Sequence, residues 1–127
     1  YLQDYEEVYD YRNIEVTIDE QDIFNVTMNE SLAVALLTNL LKNAFVHNID
    51  GGHIRITVTK NSITFRNSGV ENPLDKEHIF ERFYQGTKKE GSTGLGLAIA
   101  DSICRLQHLS IRYYFEQKEH CFEISRQ

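Results

Sequence analysis

The run Gly91-Ser92-Thr93-Gly94-Leu95-Gly96-Leu97-Ala98-Ile99-Ala100 carries small, flexible residues straight into an apolar segment with helical spacing. A phosphate-binding loop opens a helix in this way. Its glycines let backbone N–H groups approach an anion, and the positive end of the helix dipole faces that anion. Upstream, Asn39-Leu40-Leu41-Lys42-Asn43-Ala44 adds a second signal. Asn39, Asn43 and His47 fall at i, i+4 and i+8, one polar stripe on an otherwise apolar helix. Such a stripe is either a solvated face or a working one, in which Asn43 lends its amide oxygen to Mg²⁺. That cation is hard, keeps several waters and takes few protein ligands beside substrate phosphates.

Three further groups could serve the same chemistry. Asn67-Ser68-Gly69 closes an alternating segment, where a loop can receive a flat ring. An Asn side chain offers both donor and acceptor to a purine edge, although a plain turn has the same composition. Ile79-Phe80-Glu81-Arg82-Phe83-Tyr84 sets two Phe and a Tyr beside a charged pair. That is either core plus a surface ion pair, or an aromatic anchor for a moving loop, with Arg82 reaching a phosphate or a partner. Lys88 and Lys89 lie in the polar, glycine-flanked stretch 86–93. They either solubilise it or meet a γ-phosphate.

The elements that must hold these residues follow from periodicity. Tyr1, Tyr5, Val8 and Tyr9 predict a short amphipathic helix over Tyr1–Tyr11. Ile14–Ile18 alternates as a strand, Asp19–Asp22 reads as a turn, and Ile23–Thr27 as a second short strand. Asn29 caps a helix over Ser31–His47, whose stripe is Leu32, Leu36 and Leu40, flanked by Leu37, Leu41 and Ala44. Asn48–Gly52 ends it, with Gly51 and Gly52 free to take positive φ. His53–Thr59 and Ile63–Phe65 alternate on either side of Lys60-Asn61, an antiparallel hairpin. Pro73, the single proline, suits the first turn of a short helix over Leu74–Arg82. Gly94–Leu106 is the second long helix. Ile111, Tyr113 and Phe115 mark one strand and Phe122 and Ile124 the last, joined by a hairpin turn at Glu116–Glu119. Helices standing apart from hairpins predict an α/β two-layer sandwich: a mixed, mostly antiparallel sheet covered on one face.

Composition bounds the rest. At 127 residues, 41% hydrophobic and 25% charged, the chain suits one domain with a real core. A net charge of −6 argues against a broad nucleic-acid surface but leaves room for a local anion site. Cys104 and Cys121 fit no metal spacing and read as reduced thiols. No apolar run approaches the ~18 residues that span a bilayer, and no signal peptide is visible, so a cytoplasmic location is expected.

Taken in order, these pieces resemble the ATP-binding catalytic domain of sensor histidine kinases. That domain belongs to a superfamily with type II topoisomerases, mismatch-repair ATPases and heat-shock chaperones. The likeness covers essentially the whole chain. Asn39–Ala44 resembles the family's asparagine box, Phe80–Tyr84 its phenylalanine box, Gly91–Leu97 its second glycine box, and 86–93 falls at its ATP lid. The Asn67-Ser68-Gly69 variant and the Ile79–Tyr84 run look most like kinases of Bacteroidetes-type bacteria. The resemblance implies the Bergerat ATP-binding fold, with ATP between the helical layer and the lid. It implies Asn43 as the Mg²⁺ ligand with Asn39 lining the same pocket. It further implies a nucleotide site drawn from His47, Asn67, Gly69, Phe80, Arg82, Tyr84, Lys88, Ser92, Thr93, Gly94, Leu95, Gly96 and Leu97, with Phe80 and Phe83 holding the lid.

Three positions depart from the family pattern. Asn67 stands where relatives place an Asp that accepts from the adenine amino group, Glu71 stands at a glycine position, and Val46 stands where many relatives carry Lys or Arg. An Asn oxygen still accepts that hydrogen bond, without the charge assistance that roughly doubles its strength.

Asn39 separates kinase from hydrolase. ATP-hydrolysing members of the superfamily carry a Glu there as general base, and an amide cannot take a proton at neutral pH. The resemblance therefore implies γ-phosphoryl transfer to a histidine, catalysed by positioning and charge neutralisation. None of the five histidines, His47, His53, His78, His108 and His120, sits in the family's acceptor motif. The acceptor is then expected on a separate dimerisation helix upstream of Tyr1. A response regulator is expected downstream, and the full-length protein is expected to be a homodimer and membrane-anchored, with this domain monomeric. Alternative readings are a nucleotide-binding pseudokinase scaffold and an anti-sigma-factor serine kinase.

Overall fold

A computed structural model describes residues 13–81 and 95–127. The expected helix over Tyr1–Tyr11, the lid at 86–93, and Arg82, Phe83, Tyr84, Lys88, Lys89, Ser92, Thr93 and Gly94 lie outside the described residues.

The described elements run β1 (Glu15–Glu20), α1 (Glu30–Val46), β2 (His53–Val58), β3 (Ser62–Asn67), α2 (Gly96–Leu106), β4 (Leu109–Glu116) and β5 (Glu119–Arg126). The strands form one sheet in the order β1-β2-β3-β5-β4. β1 pairs with β2 in parallel, and the other pairs are antiparallel. Parallel neighbours need a crossover rather than a tight turn, and α1 is that crossover. Both helices pack on one side of the sheet. Leu36, Leu40, Leu41 and Phe45 of α1 and Ala100, Ile103 and Cys104 of α2 meet Ile54, Phe65, Phe122 and Ile124 in a single core. This is the mixed two-layer sandwich that the sequence predicts.

Local chemistry sets the boundaries. The Asn29 side chain accepts from Ser31 N (2.7 Å) and starts α1. Gln117 and Lys118, at φ 52° and 63°, make a two-residue turn between β4 and β5 whose twist matches that of the strands. Cys104 and Cys121 are free and buried, and burial pushes the Cys104 thiol up to about 11. No helix among the described residues is long and apolar enough to cross a membrane.

Four expectations need correction. Ile23–Thr27 is not a strand. Strand alternation would place Phe24 and Val26 on one face, yet Phe24 and Met28 pack on the core while Ile23 and Val26 stay exposed. Arg126 fixes this segment instead, donating to Asn25 O (2.6 Å) with its guanidinium over the Phe24 ring. The turn expected at Asp19–Asp22 begins two residues late, because Asp19 and Glu20 continue β1 alongside Thr57 and Val58. Leu74–Glu81 forms turns rather than a helix. Asp75 starts a single capped turn, its carboxylate taking Glu77 N (3.1 Å) and the His78 ring (2.6 Å) and its carbonyl taking Ile79 N (2.9 Å), but the turn does not propagate into a helix. Gly51 does take positive φ (76°), but Gly52 is fixed by space. A Cβ there would collide with Asn48 Oδ1 and Ser68 Oγ.

Candidate functional site

The helical stripe meets the start of α2 at Asn39 and Gly96. Asn39 is half-buried and donates from Nδ2 to Ala35 O (2.8 Å), one turn back along α1. That bond fixes the amide, and its Oδ1 faces α2. A Cβ on Gly96 would lie 3.2 Å from Asn39 Oδ1, so glycine lets the start of α2 close onto α1. The Leu95 side chain makes no capping bond. Among the described residues no side-chain cap is made at the start of this eleven-residue helix, the arrangement that favours an anion. Leu97 packs against the core and orients this end.

Asn43 stands one turn beyond Asn39, half-buried, and its carboxamide hydrogen-bonds nothing among the described residues. A neutral amide oxygen on a rigid helix is a suitable hard ligand for Mg²⁺. His47 caps α1 through its backbone, donating from N to Asn43 O (3.1 Å). Val46 is buried and supplies no cation.

The second part of the site is the end of β3. Asn67 lies opposite Ile54 on one side and His120 on the other, and is 2% exposed. Its Nδ2 donates to Ser68 O (2.8 Å), while its Oδ1 is buried with no partner among the described residues. A buried unpaired acceptor costs about 1–3 kcal/mol and so marks a place for an incoming donor. Gly69 is wedged in: a Cβ would lie 3.0 Å from His47 O and 3.1 Å from His120 Cδ2.

Several residues that build this loop carry no signal in the sequence motifs. Asn48, 1% exposed, takes Ser68 Oγ (2.5 Å) and Ile49 N (2.9 Å) on Oδ1 and gives Nδ2 to His53 O (3.0 Å). Ser68 Oγ in turn accepts from His53 N (2.9 Å). The end of α1, the start of β2 and the end of β3 are thereby joined. Tyr113 and His120 support the loop from below. His120 Nε2 meets Val70 O (2.6 Å), His120 Nδ1 meets Tyr113 Oη (2.6 Å), and Tyr113 Oη accepts from Leu74 N (2.9 Å). Burial holds the His120 imidazole below the ordinary histidine range, against the opposing effect of its Val70 bond. One cue for His120 exists in the sequence: it alternates with Phe122 and Ile124 on the inward face of its strand.

Phe80 packs edge-on against Phe122, ring centroids 6.2 Å apart, so its described contact is with the core. Glu71 is exposed on the loop. Among the described residues the one group of three metal-ligating side chains is Asp75, Glu77 and His78, exposed on a surface turn. Asp75 Oδ2 is already engaged by His78 there, and Asn43 is not part of the group.

The family model described as histidine kinase-, DNA gyrase B- and HSP90-like ATPase matches residues 28–125. Sensor histidine kinase RppB of Synechocystis sp. is 43% identical over 84 residues, 59% of this chain and 18% of its own length. Heme sensor protein HssS of Staphylococcus aureus is 36% identical over 109 residues, 82% of this chain and 24% of its own. The chain thus spans a quarter or less of these relatives. Among solved structures, the catalytic domain of histidine kinase ThkA superposes with a TM-score of 0.79 at 26% identity, covering 94% of this chain and 82% of that one. ThkA has also been solved in complex with a response regulator protein, TrrA.

Proposed function

This chain belongs to the histidine kinase-, DNA gyrase B- and HSP90-like ATPase family, as a catalytic domain of the histidine kinase type, and from that premise we propose how its residues serve phosphoryl transfer. The reading is transfer of the ATP γ-phosphoryl to a histidine on a separate dimerisation helix. The observation that carries it is the buried Oδ1 of Asn67, without a partner among the described residues; Asn39, Asn43 and the glycine-led start of α2 are read as the rest of the same site.

In this reading Asn67 Oδ1 accepts the adenine amino group, and Gly69 keeps the loop low enough for the ring. Asn39 and Asn43 line the α1 side, Asn43 as the Mg²⁺ ligand. Leu95, Gly96 and Leu97 present backbone N–H groups to the phosphates. The residues present fit such a ligand: an acceptor aimed at its amino group, donors at its phosphates and a neutral oxygen for its cation. Bound Mg²⁺ would neutralise the charge that builds on the phosphoryl oxygens. Asn39 has no proton-accepting group and its Nδ2 is committed to Ala35 O, so this chain holds no general base for water at that position. A neutral imidazole nucleophile needs none.

Residues 86–93, with Lys88, Ser92 and Thr93, are read as the lid, with Phe80, Arg82 and Tyr84 at its approach and Gly94 at its end. The partners are a dimerisation domain bearing the acceptor histidine and, by analogy with the ThkA complex, a response regulator. The whole protein is read as a membrane-anchored homodimer with this domain on the cytoplasmic side. The likeness to Bacteroidetes-type kinases rests on Asn67-Ser68-Gly69 and the Ile79–Tyr84 run.

The test is phosphotransfer in trans. The chain is mixed with the dimerisation domain of its own full-length protein, Mg²⁺ and γ-labelled ATP. Acid-labile label on the dimerisation domain, lost with Asn43→Ala, is the expected result. No label despite ATP binding would favour a nucleotide-binding scaffold. Acid-stable label would point to a serine kinase.

A further inference from the structure

We propose that His120 and Tyr113 are positioning residues that set the choice of adenine over guanine, by locking the orientation of the Asn67 amide without touching the nucleotide. The inference rests on the functional reading above, in which Asn67 meets the purine edge.

The loop from Gly69 to Leu74 crosses the end of the sheet. Among the described residues, its backbone makes two hydrogen bonds, at Val70 O and Leu74 N. Both run to one relay. Val70 O can only accept, so His120 Nε2 carries the proton. His120 Nδ1 then holds a lone pair and accepts from the Tyr113 hydroxyl. The Tyr113 oxygen, having donated its proton, accepts from Leu74 N. Hydrogen bonds run in one direction, Leu74 to Tyr113 to His120 to Val70, and every group is satisfied once. The rings are fixed by packing as well: Phe115 lies 4.8 Å from His120, and Phe122 lies 5.1 Å from Tyr113, centroid to centroid.

The relay reaches Asn67 through the backbone. Gly69 sits close over the His120 ring, where a Cβ on it would lie 3.1 Å from His120 Cδ2, so the ring limits how low the 68–69 peptide can sit. The carbonyl of that peptide, Ser68 O, takes Asn67 Nδ2. That one bond commits the amide to leave its oxygen open. An open oxygen accepts from the 6-amino group of adenine and is repelled by the 6-oxo group of guanine. With the loop released, Ser68 O drifts, the amide can rotate, and its N–H₂ can serve guanine instead.

The experiment is calorimetric titration of Mg-ATP and Mg-GTP into this chain and its Tyr113→Phe variant. The variant deletes one hydroxyl and keeps the ring, so folding is retained. The expected result is a fall of about tenfold in the ATP-to-GTP affinity ratio, the worth of one well-placed hydrogen bond. His120→Phe should lower the ratio at least as far, and His120→Gln, which keeps an N–H for Val70 O, should recover part of it. General damage to the domain would weaken both nucleotides alike. An unchanged ratio in Tyr113→Phe, or an equal loss for both nucleotides, overturns the inference while ATP binding by the parent leaves the functional reading standing. A parent chain that binds neither nucleotide overturns both.

Discussion

Asn67 and His120 stand directly opposite each other on β3 and β5, both almost fully buried, and they differ in one respect. His120 has a partner on each ring nitrogen, whereas the Asn67 oxygen has none among the described residues. Folded proteins rarely bury an acceptor without a partner, because the desolvation is not returned. On the proposed function, this asymmetry makes Asn67 the residue that meets the ligand and His120 part of its support.

Asn67→Asp tests that assignment. A carboxylate would lose the donor to Ser68 O and bury a charge, so the free variant should melt below the parent. Binding should gain from a charged acceptor on the adenine amino group. Mg-ATP should therefore raise the melting temperature of the variant by more than that of the parent. An equal or smaller shift would remove Asn67 from the adenine edge.

Gly96→Ala addresses the junction of the two helices. Alanine favours a helix by up to about 1 kcal/mol over glycine, yet its Cβ would press on Asn39 Oδ1. ATP affinity should fall by about tenfold through misplacement of the α2 amides. In thermal melts the double variant Asn39→Ala/Gly96→Ala should be more stable than Gly96→Ala alone, because the obstructing oxygen is gone.

Asn48→Ala should lower unfolding free energy by about 3 kcal/mol in urea titrations, taking the Oδ1 acceptor from Ile49 N and Ser68 Oγ and one of the donors from His53 O. A loss under about 1 kcal/mol would mean that the junction is held by something else.

Stability should depend on His120 as pH falls. Its pKa is depressed in the folded chain, so the native state prefers the neutral ring. The contribution is complete above the unfolded value of about 6.5 and is lost as pH drops below it toward the folded value. His78 has the opposite sign: the Asp75 hydrogen bond raises its pKa, so its contribution is present at low pH and lost as pH rises. Urea denaturation of the parent and of His120→Gln at about pH 7.5 and about pH 5.5 separates them. The parent should lose more stability on acidification than the variant.

Much of the site was legible because it is local. Asn39 and Asn43 announce themselves by a four-residue interval on an apolar helix, and the β2–β3 hairpin by alternation around Lys60-Asn61. Long-range pairing is what sequence hides. Ile14–Ile18 and Ile23–Thr27 read as two strands around a turn, and the parallel partnership of β1 with β2 is not visible in either. Asn48 looked like any turn residue, since nothing in its neighbours reveals burial against Ser68. The start signal at Pro73 yields only one capped turn at Asp75. Tyr113 and His120 lie far along the chain from the loop they hold, and no motif spans that distance.

The most direct test of the whole account is calorimetric titration of ATP with Mg²⁺ into this chain and into Asn43→Ala. The account predicts saturable binding by the parent, in the micromolar to sub-millimolar range typical of nucleotide-using enzymes, roughly 1 μM to 1 mM, and loss of Mg²⁺-dependent affinity in the variant. Absence of binding by the parent, or a variant that binds Mg-ATP as the parent does, would contradict it.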